Sequence, residues 1–143
     1  GHLNAKIQPM KAHENILTFY QNQCIYNPQD LQDYGKITKS GRGSTNYGKH
    51  GDEWLQEKTG YPRSVQFFKY DTNKIHPTQK PIALFEYLIK TYTNENEIIL
   101  DNTAGSGTTA IAAINTNRKW VCIEKDEIYY SKAIERINAH TNP

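Results

Sequence analysis

The pattern of apolar and polar positions changes about halfway along the chain. In the C-terminal half, a helix is predicted to begin at Pro81, because apolar residues then recur at helical spacing on one face: Ile82, Phe85, Leu88, Ile89 and Tyr92. Short apolar runs at 98–100 and 120–123 end in Asp101 and Glu124, and they are typical of buried parallel strands. With a helix between these strands and another after them, the pattern predicts a βαβ unit.

The N-terminal half shows no comparable period. Residues 15–20 and 64–68 are rich in β-branched and aromatic side chains, which predicts two strands. Between them lies a long stretch rich in glycine and tyrosine, with a short helix predicted near 51–58. The whole pattern predicts an α/β protein with a mostly parallel sheet, flanking helices and an irregular inserted region.

Composition excludes only a few classes of protein. The 143 residues suit one domain, and a net charge of +2 does not by itself indicate a nucleic-acid partner. The two cysteines and five histidines lack the spacing of a disulfide framework or a metal site, so no metal is expected. No apolar run approaches the length of a membrane span and no signal peptide is visible, so a cytoplasmic protein is expected.

The residues after the first C-terminal strand have the pattern of a nucleotide-binding turn. Gly105, Gly107 and Ala110 match G-x-G-x-x-G/A. The first glycine permits a tight turn, the second lets a ligand approach the backbone, and the alanine lets the helix pack closely on the strand. Glu124 ends the next strand, where a carboxylate can accept hydrogen bonds from ribose hydroxyls. Dinucleotide enzymes share this pattern.

Asp101 favours a cationic ligand over a dinucleotide. A carboxylate at the tip of the strand would repel a pyrophosphate, whereas it would attract the positive sulfonium and amino groups of S-adenosylmethionine. In the alternative interpretation, Asp101 caps the turn and Glu124 is a solvated strand end.

Three segments carry a family resemblance. They are HPTQKP at 76–81, DNTAGSGTT at 101–109 and VCIEKDE at 121–127, and the resemblance that they carry extends over about half the chain. In sequence and spacing they resemble DNA adenine-N6 and cytosine-N4 methyltransferases of the circularly permuted group, whose cofactor motif lies near the C-terminus. Asn102 and Thr103 depart from the Pro-Phe of many relatives, which removes an aromatic wall and could alter cofactor affinity.

The resemblance implies a partial Rossmann-like fold of the S-adenosylmethionine-dependent methyltransferases. It divides the chain into an N-terminal strand segment (1–23), a target-recognition or irregular region (24–70) and a cofactor-binding βαβ region (71–143). The cofactor would be S-adenosylmethionine. The residues expected to bind it are Thr78, Lys80, Asp101, Asn102, Thr103, Ala104, Gly105, Ser106, Gly107, Thr108, Glu124 and Asp126.

Within this set, the resemblance assigns a part of the cofactor to each group. Thr78 and Lys80 would lie near the methionine end, together with Asp101 and the glycine turn. Glu124 would hold the ribose, and Asp126 would lie near the adenine.

The resemblance also implies the reaction and the partner. The parent enzyme would be a site-specific DNA methyltransferase of a restriction-modification or phage system. It would methylate an exocyclic amine, with adenine N6 favoured over cytosine N4 as the commoner chemistry in the family. Double-stranded DNA is the expected partner. Five basic residues of the middle region are expected to contact it: Lys36, Lys39, Arg42, Lys49 and Arg63. In the alternative interpretation they are solvated surface charges.

The catalytic motif of this family, Asp/Asn/Ser-Pro-Pro-aromatic, does not occur in the sequence. In the family it orients the target amine and stacks on the flipped base. None of the six prolines is adjacent to another, so no catalytic residue is assigned. The chain alone is expected to be inactive, as a truncated, proteolytic or degenerate form that lacks an upstream segment. In the family, the strand that carries this motif lies beside the strand ending at Asp101. That edge of the sheet is therefore expected to be covered by another strand, by another copy of the chain or by water.

Two competing interpretations remain open from the sequence. A nicotinamide-dependent oxidoreductase fragment would share the glycine turn, but it does not explain the HPTQKP segment or Asp101. A non-enzymatic DNA-binding module would use the middle region alone, with salt-sensitive DNA binding and no nucleotide site.

Overall fold

Four strands and three helices make up the regular structure of the residues that can be described. The computed structural model describes residues 13–39 and 53–142. In chain order its elements are β1 (Gln32–Lys39), β2 (Glu53–Thr59), α1 (Ile82–Tyr92), β3 (Ile98–Asp101), α2 (Thr108–Asn115), β4 (Lys119–Cys122) and α3 (Glu127–Thr141). In this part of the chain, no helix has the length and apolar character to cross a bilayer.

The C-terminal half forms the predicted βαβ unit. Strands β3 and β4 pair in parallel, with Ile98 opposite Lys119 and Asp101 opposite Cys122. Helix α2 connects them, and α1 and α3 precede and follow the unit. The carboxyl ends of the two strands therefore lie side by side, and the predicted α/β class is confirmed.

Helix α2 is the centre of the core. Its residues Ala110, Ile111, Ala112 and Ala113 are at most 1% exposed. The small alanines allow α1 to approach closely, and Ile89 of α1 packs against them with Phe85, as its predicted apolar face requires. On the other side of α2, Ile137 of α3 joins the cluster of Ala110 and Ile111, with Trp120 and Cys122 of β4 packed against it.

The β3–β4 pair buries only one of its faces. Burial alternates along both strands, and Ile99 and Trp120 point toward the helices. On the opposite face, four apolar side chains remain exposed at 49–66% of their surface: Ile98, Leu100, Val121 and Ile123. Successive side chains of a strand point to opposite faces, so the β3–β4 pair has one face packed on the helices and one apolar face in solvent.

Two of the strands predicted in the N-terminal half are wrong. Residues 15–20 and 64–68 have no strand pairing. Most of their side chains lie in solvent, with Phe19 87% and Phe67 92% exposed, although Phe68 packs against the Tyr87 ring. A β-prone composition yields a strand only where a neighbouring strand supplies hydrogen bonds and packing, and no described strand lies against either segment.

The helix predicted near residues 51–58 is also wrong, because β2 occupies 53–58, the part of this stretch that the structure describes. β2 pairs antiparallel with β1, so that Leu55 lies opposite Ile37. A bulge between Asp33 and Lys36 interrupts β1, where Gly35 adopts a φ of +58°. The predicted irregular region therefore contains a regular antiparallel pair.

Candidate functional site

A cleft opens at the carboxyl end of β3. Its cavity has a volume of about 540 Å³ and extends from the glycine turn along α1. Eight of the twelve predicted cofactor residues line it: Thr78, Lys80, Asp101, Thr103, Ala104, Gly105, Ser106 and Thr108. Asn102, Gly107, Glu124 and Asp126 lie outside its lining, although Glu124 and Asp126 are connected to the turn through hydrogen bonds.

The turn depends on two glycines in left-handed conformation. Gly105 has a φ of +54° and Gly107 a φ of +71°. L-residues rarely adopt such angles. A Cβ atom on Gly107 would lie 3.0 Å from Ile137 Cδ1 and 3.3 Å from Ala133 Cβ. The close neighbour of the second glycine is therefore helix α3, whereas the sequence pattern had suggested a ligand there.

Asp101 caps the glycine turn from the end of β3. Its Oδ1 accepts a hydrogen bond from the Thr103 amide at 3.0 Å, and its Oδ2 accepts one from the Thr109 hydroxyl at 2.5 Å. The capping interpretation of Asp101 is thus correct. The carboxylate still lines the cavity, and each oxygen keeps a further lone pair for a cationic ligand.

Glu124 fastens the turn to the start of α3. Its Oε2 accepts from the Gly105 amide at 2.7 Å, and its Oε1 accepts from the Asp126 amide at 2.9 Å. Asp126 caps α3, because its Oδ1 accepts from the amides of Ile128 and Tyr129. The hydrogen bonds from Asp126 and Gly105 lower the pKa of Glu124. Glu124 is therefore more than a solvated strand end.

We expect Glu124→Gln to remove a pH-dependent part of the stability. A carboxyl group whose pKa is lowered by folding stabilises the native state above its ordinary value of 4.5, and this contribution is lost as the pH falls through the lowered pKa. Thermal unfolding of both proteins between pH 3 and 7 would measure it. The midpoints should differ at pH 7 and converge at low pH, whereas a constant difference would contradict the prediction.

His76 lies between its own segment and the start of α3. Its Nδ1 accepts from the Thr78 amide at 3.2 Å, and its ring meets the Tyr129 ring edge-on with 4.2 Å between centroids. Nearby, Lys80 Nζ lies 2.5 Å from Glu14 Oε2. The Glu14 contact was not expected from the sequence, since 66 residues separate the partners.

Two further charged residues of the site were missed by the sequence analysis. Arg136 of α3 donates to the Ser106 carbonyl, and it forms an ion pair with Asp71. Burial lowers the pKa of Arg136. From the sequence, an arginine on the polar side of an amphipathic helix is expected to be solvated. The sequence therefore gave no indication that Arg136 contacts Ser106 and Asp71.

The predicted DNA contacts are only partly described. Lys36 lies on β1, where its ammonium is 5.2 Å from the centre of the Tyr34 ring, and Arg63 lies in the exposed segment after β2. Lys39 ends β1, but its side chain is outside the described part. Arg42 and Lys49 lie outside the described residues altogether. The DNA-binding role of these residues stays a prediction.

Several known proteins are similar to parts of this chain. Type II methyltransferase M2.LlaDCHI of Lactococcus lactis subsp. cremoris is 43% identical over 63 residues, which are 44% of this chain and 23% of the relative. Type II methyltransferase M.HindIII of Haemophilus influenzae is 42% identical over 67 residues, which are 47% of this chain and 22% of the relative. The structure of an M1.HpyAVI–SAM complex overlaps with 63% of this chain and 53% of its own, at 27% identity and a TM-score of 0.43.

The extent of these matches differs between the comparisons. The chain spans less than a quarter of the length of the two curated relatives described above. The family profile N6_N4_Mtase, described as DNA methylase, matches residues 2–135 and so covers most of the chain. The protein therefore belongs to this family of DNA methylases.

Proposed function

We propose that this chain forms the S-adenosylmethionine-binding part of a site-specific DNA methyltransferase. One observation carries the proposal: Asp101 and Glu124 follow neighbouring parallel strands at their carboxyl ends, and both hold the Gly105–Gly107 turn beside the cleft. Ligands of open α/β sheets bind outside the carboxyl ends of the strands, so the cleft lies where a cofactor is expected.

The chemistry of the cleft fits a cationic nucleoside better than a dinucleotide. Its volume of about 540 Å³ is in the range typical of small-molecule sites, roughly 300–1,000 Å³. Asp101 would repel a pyrophosphate at the turn. S-adenosylmethionine brings a positive sulfonium and a positive amino group, which suit an acidic strand end.

In the proposed complex each group binds a different part of the cofactor. Asp101 attracts the amino group, while Lys80 attracts the carboxylate of the methionine end, with Thr78 beside it. Glu124 uses its remaining lone pairs to accept hydrogen bonds from the ribose, and Asp126 lies near the adenine. The main chain of 102–108 forms the wall of the site. The bound cofactor supplies an electrophilic methyl group.

We propose an exocyclic amine of double-stranded DNA as the acceptor. Adenine N6 is favoured over cytosine N4, as the commoner chemistry among the proteins that the three motif segments resemble. The basic residues Lys36, Lys39, Arg42, Lys49 and Arg63 would contact phosphates, which fix a protein on the duplex without reading its sequence. Two relatives are named type II methyltransferases, which supports a restriction-modification role. DNA as substrate places the protein in the cytoplasm.

We further propose that the chain binds the cofactor but does not turn it over by itself. The sequence contains no Pro-Pro-aromatic motif to hold a flipped base and its amino group. Positioning of the reacting atoms supplies much of the catalysis in such a transfer, so cofactor binding alone does not suffice.

Calorimetric titration with S-adenosylmethionine, and with NAD as a parallel control, tests the proposal. We expect binding of S-adenosylmethionine and none of NAD, because the negative strand end discriminates between the two ligands. A methylation assay on duplex DNA with the same protein should give no product. Preferential binding of NAD would contradict the assignment of the cofactor. Methyl transfer by the chain alone would contradict its proposed inactivity.

A further inference from the structure

A charged cluster joins α3 to the glycine turn. Nη1 of Arg136 donates to the Ser106 carbonyl at 3.0 Å and to the Thr108 hydroxyl at 3.0 Å, and it lies 3.3 Å from the Ser106 hydroxyl. The Arg136 side chain is only 17% exposed. A guanidinium withdrawn from water to this extent requires acceptors in the protein, and the turn provides them.

The same guanidinium reaches a second segment of the chain. Its Nη2 lies 3.5 Å from Oδ2 of Asp71, whose side chain is 26% exposed. The other oxygen, Oδ1, accepts from the amide of Ile82, the first residue of α1, at 3.4 Å. Asp71 thus connects Arg136 of α3 to the first residue of α1.

Gln79 extends the cluster into the HPTQKP segment. It is 5% exposed, and its Nε2 donates to Asp71 Oδ2 at 3.4 Å and to the Asn73 carbonyl at 3.2 Å. Its Oε1 accepts from the Ile75 amide at 3.1 Å. Thr78 and Lys80 flank Gln79 directly in the sequence. The position of these two proposed cofactor contacts is therefore coupled to Asp71, and through Asp71 to Arg136.

The peptide between Ser106 and Gly107 is held at both ends. Its N–H donates to the Ala104 carbonyl at 2.9 Å, and its carbonyl accepts from Arg136. The glycines on either side of Ser106 both have positive φ and allow a wider range of angles than other residues. Without the guanidinium, this peptide would keep only the hydrogen bond of its N–H to the Ala104 carbonyl.

We infer that Arg136 is a positioning residue for the methyl donor. It fixes the position of the glycine turn relative to the 76–80 segment, so that both contact the methionine half of the ligand. This role rests on the proposed function of the cleft. Arg136 acts through Ser106, Thr108 and Asp71, and it is not assigned a contact with the ligand itself.

The geometry requires an arginine at this position. The planar fork presents one nitrogen to the turn and the other to Asp71, whereas a lysine offers a single point charge. Arg136→Lys should therefore keep the charge and lose the bridge. Arg136→Gln should lose both.

The test compares two ligands on Arg136→Gln, with Glu135→Gln as the matched control, because Glu135 is an exposed neighbour on the same helix. S-adenosylmethionine should bind about tenfold more weakly to Arg136→Gln, as expected for the loss of hydrogen bonds to a charged group. Adenosine lacks the methionine half and should bind with unchanged affinity. The control should match the wild type for both ligands.

Equal weakening of both ligands would indicate a general loss of structure and would overturn the inference, as would unchanged binding of S-adenosylmethionine. Failure of the wild-type protein to bind S-adenosylmethionine would instead contradict the proposed function. Amide hydrogen exchange without ligand tests the positioning role independently of whether the wild-type protein binds S-adenosylmethionine. The positioning role predicts faster exchange confined to residues 104–109 and 75–82 in Arg136→Gln, and unchanged exchange there would overturn it.

Asp71→Asn provides a second variant in case Arg136→Gln does not fold. It keeps an oxygen for the Ile82 amide but removes the charge that faces Arg136. The weakening should again fall on S-adenosylmethionine and spare adenosine. An equal effect on both ligands would overturn the inference.

Discussion

Gly107→Ala is expected to destabilise the protein by about 2–5 kcal/mol. A left-handed conformation costs an L-residue about 1–2 kcal/mol, and overpacking of a core costs about 1–3 kcal/mol. Both apply here, because Gly107 has a φ of +71° and a new Cβ would lie 3.0 Å from Ile137 and 3.3 Å from Ala133. The midpoint of thermal unfolding should fall by roughly 10 °C.

Gly105→Ala is the matched control for this experiment. Gly105 has a φ of +54°, but the nearest atom to its added Cβ would be 3.6 Å away, in the His76 ring. Only the conformational cost should remain, about 1–2 kcal/mol. If both variants lost the same stability, the close packing of Gly107 on α3 would have no energetic role.

Asp101→Asn is expected to weaken binding of S-adenosylmethionine by about ten- to a hundredfold, because the ligand loses a hydrogen bond to a charged partner. The substitution is isosteric. Its amide oxygen can still accept from the Thr103 amide, and the Thr109 hydroxyl can rotate to accept from the new NH₂. The turn should therefore persist while the charge is lost, and calorimetric titration would measure the affinity.

Glu95→Gln makes the same change in net charge at the other end of β3. Glu95 is exposed and precedes the strand, far along the chain from the turn. Its variant should bind the cofactor like the wild type. Equal weakening by both substitutions would mean that overall charge, rather than the placement of Asp101, governs affinity. Wild-type affinity in Asp101→Asn would remove Asp101 from the proposed site.

The βαβ unit could be predicted because its signals are local. The apolar run that ends in Asp101, the glycines at 105 and 107, and the cap at Asp126 each act within a few residues of their own position. Their placement at neighbouring strand ends follows from parallel pairing. The sequence therefore indicated eight residues of the cleft's lining, whereas four other expected residues lie outside it: Asn102, Gly107, Glu124 and Asp126.

The N-terminal half could not be predicted in the same way, since its structure depends on distant partners. Residues 15–20 have the composition of a strand, but none of the described strands pairs with them, while β2 becomes a strand through its register with β1. The contacts of Arg136 with Asp71, and of Lys80 with Glu14, join residues about 65 positions apart. No periodicity within one segment reports such contacts.

The open face of the β3–β4 pair bears on the lifetime of the chain in a cell. Between 49% and 66% of the surface stays in water for Ile98 and Leu100 of β3, Val121 of β4 and Ile123, which directly follows β4. Chaperones and proteases act on proteins that show exposed apolar strands, and steady-state abundance depends on that competition. How much of this protein a cell accumulates should therefore depend on how quickly those four side chains are covered after synthesis.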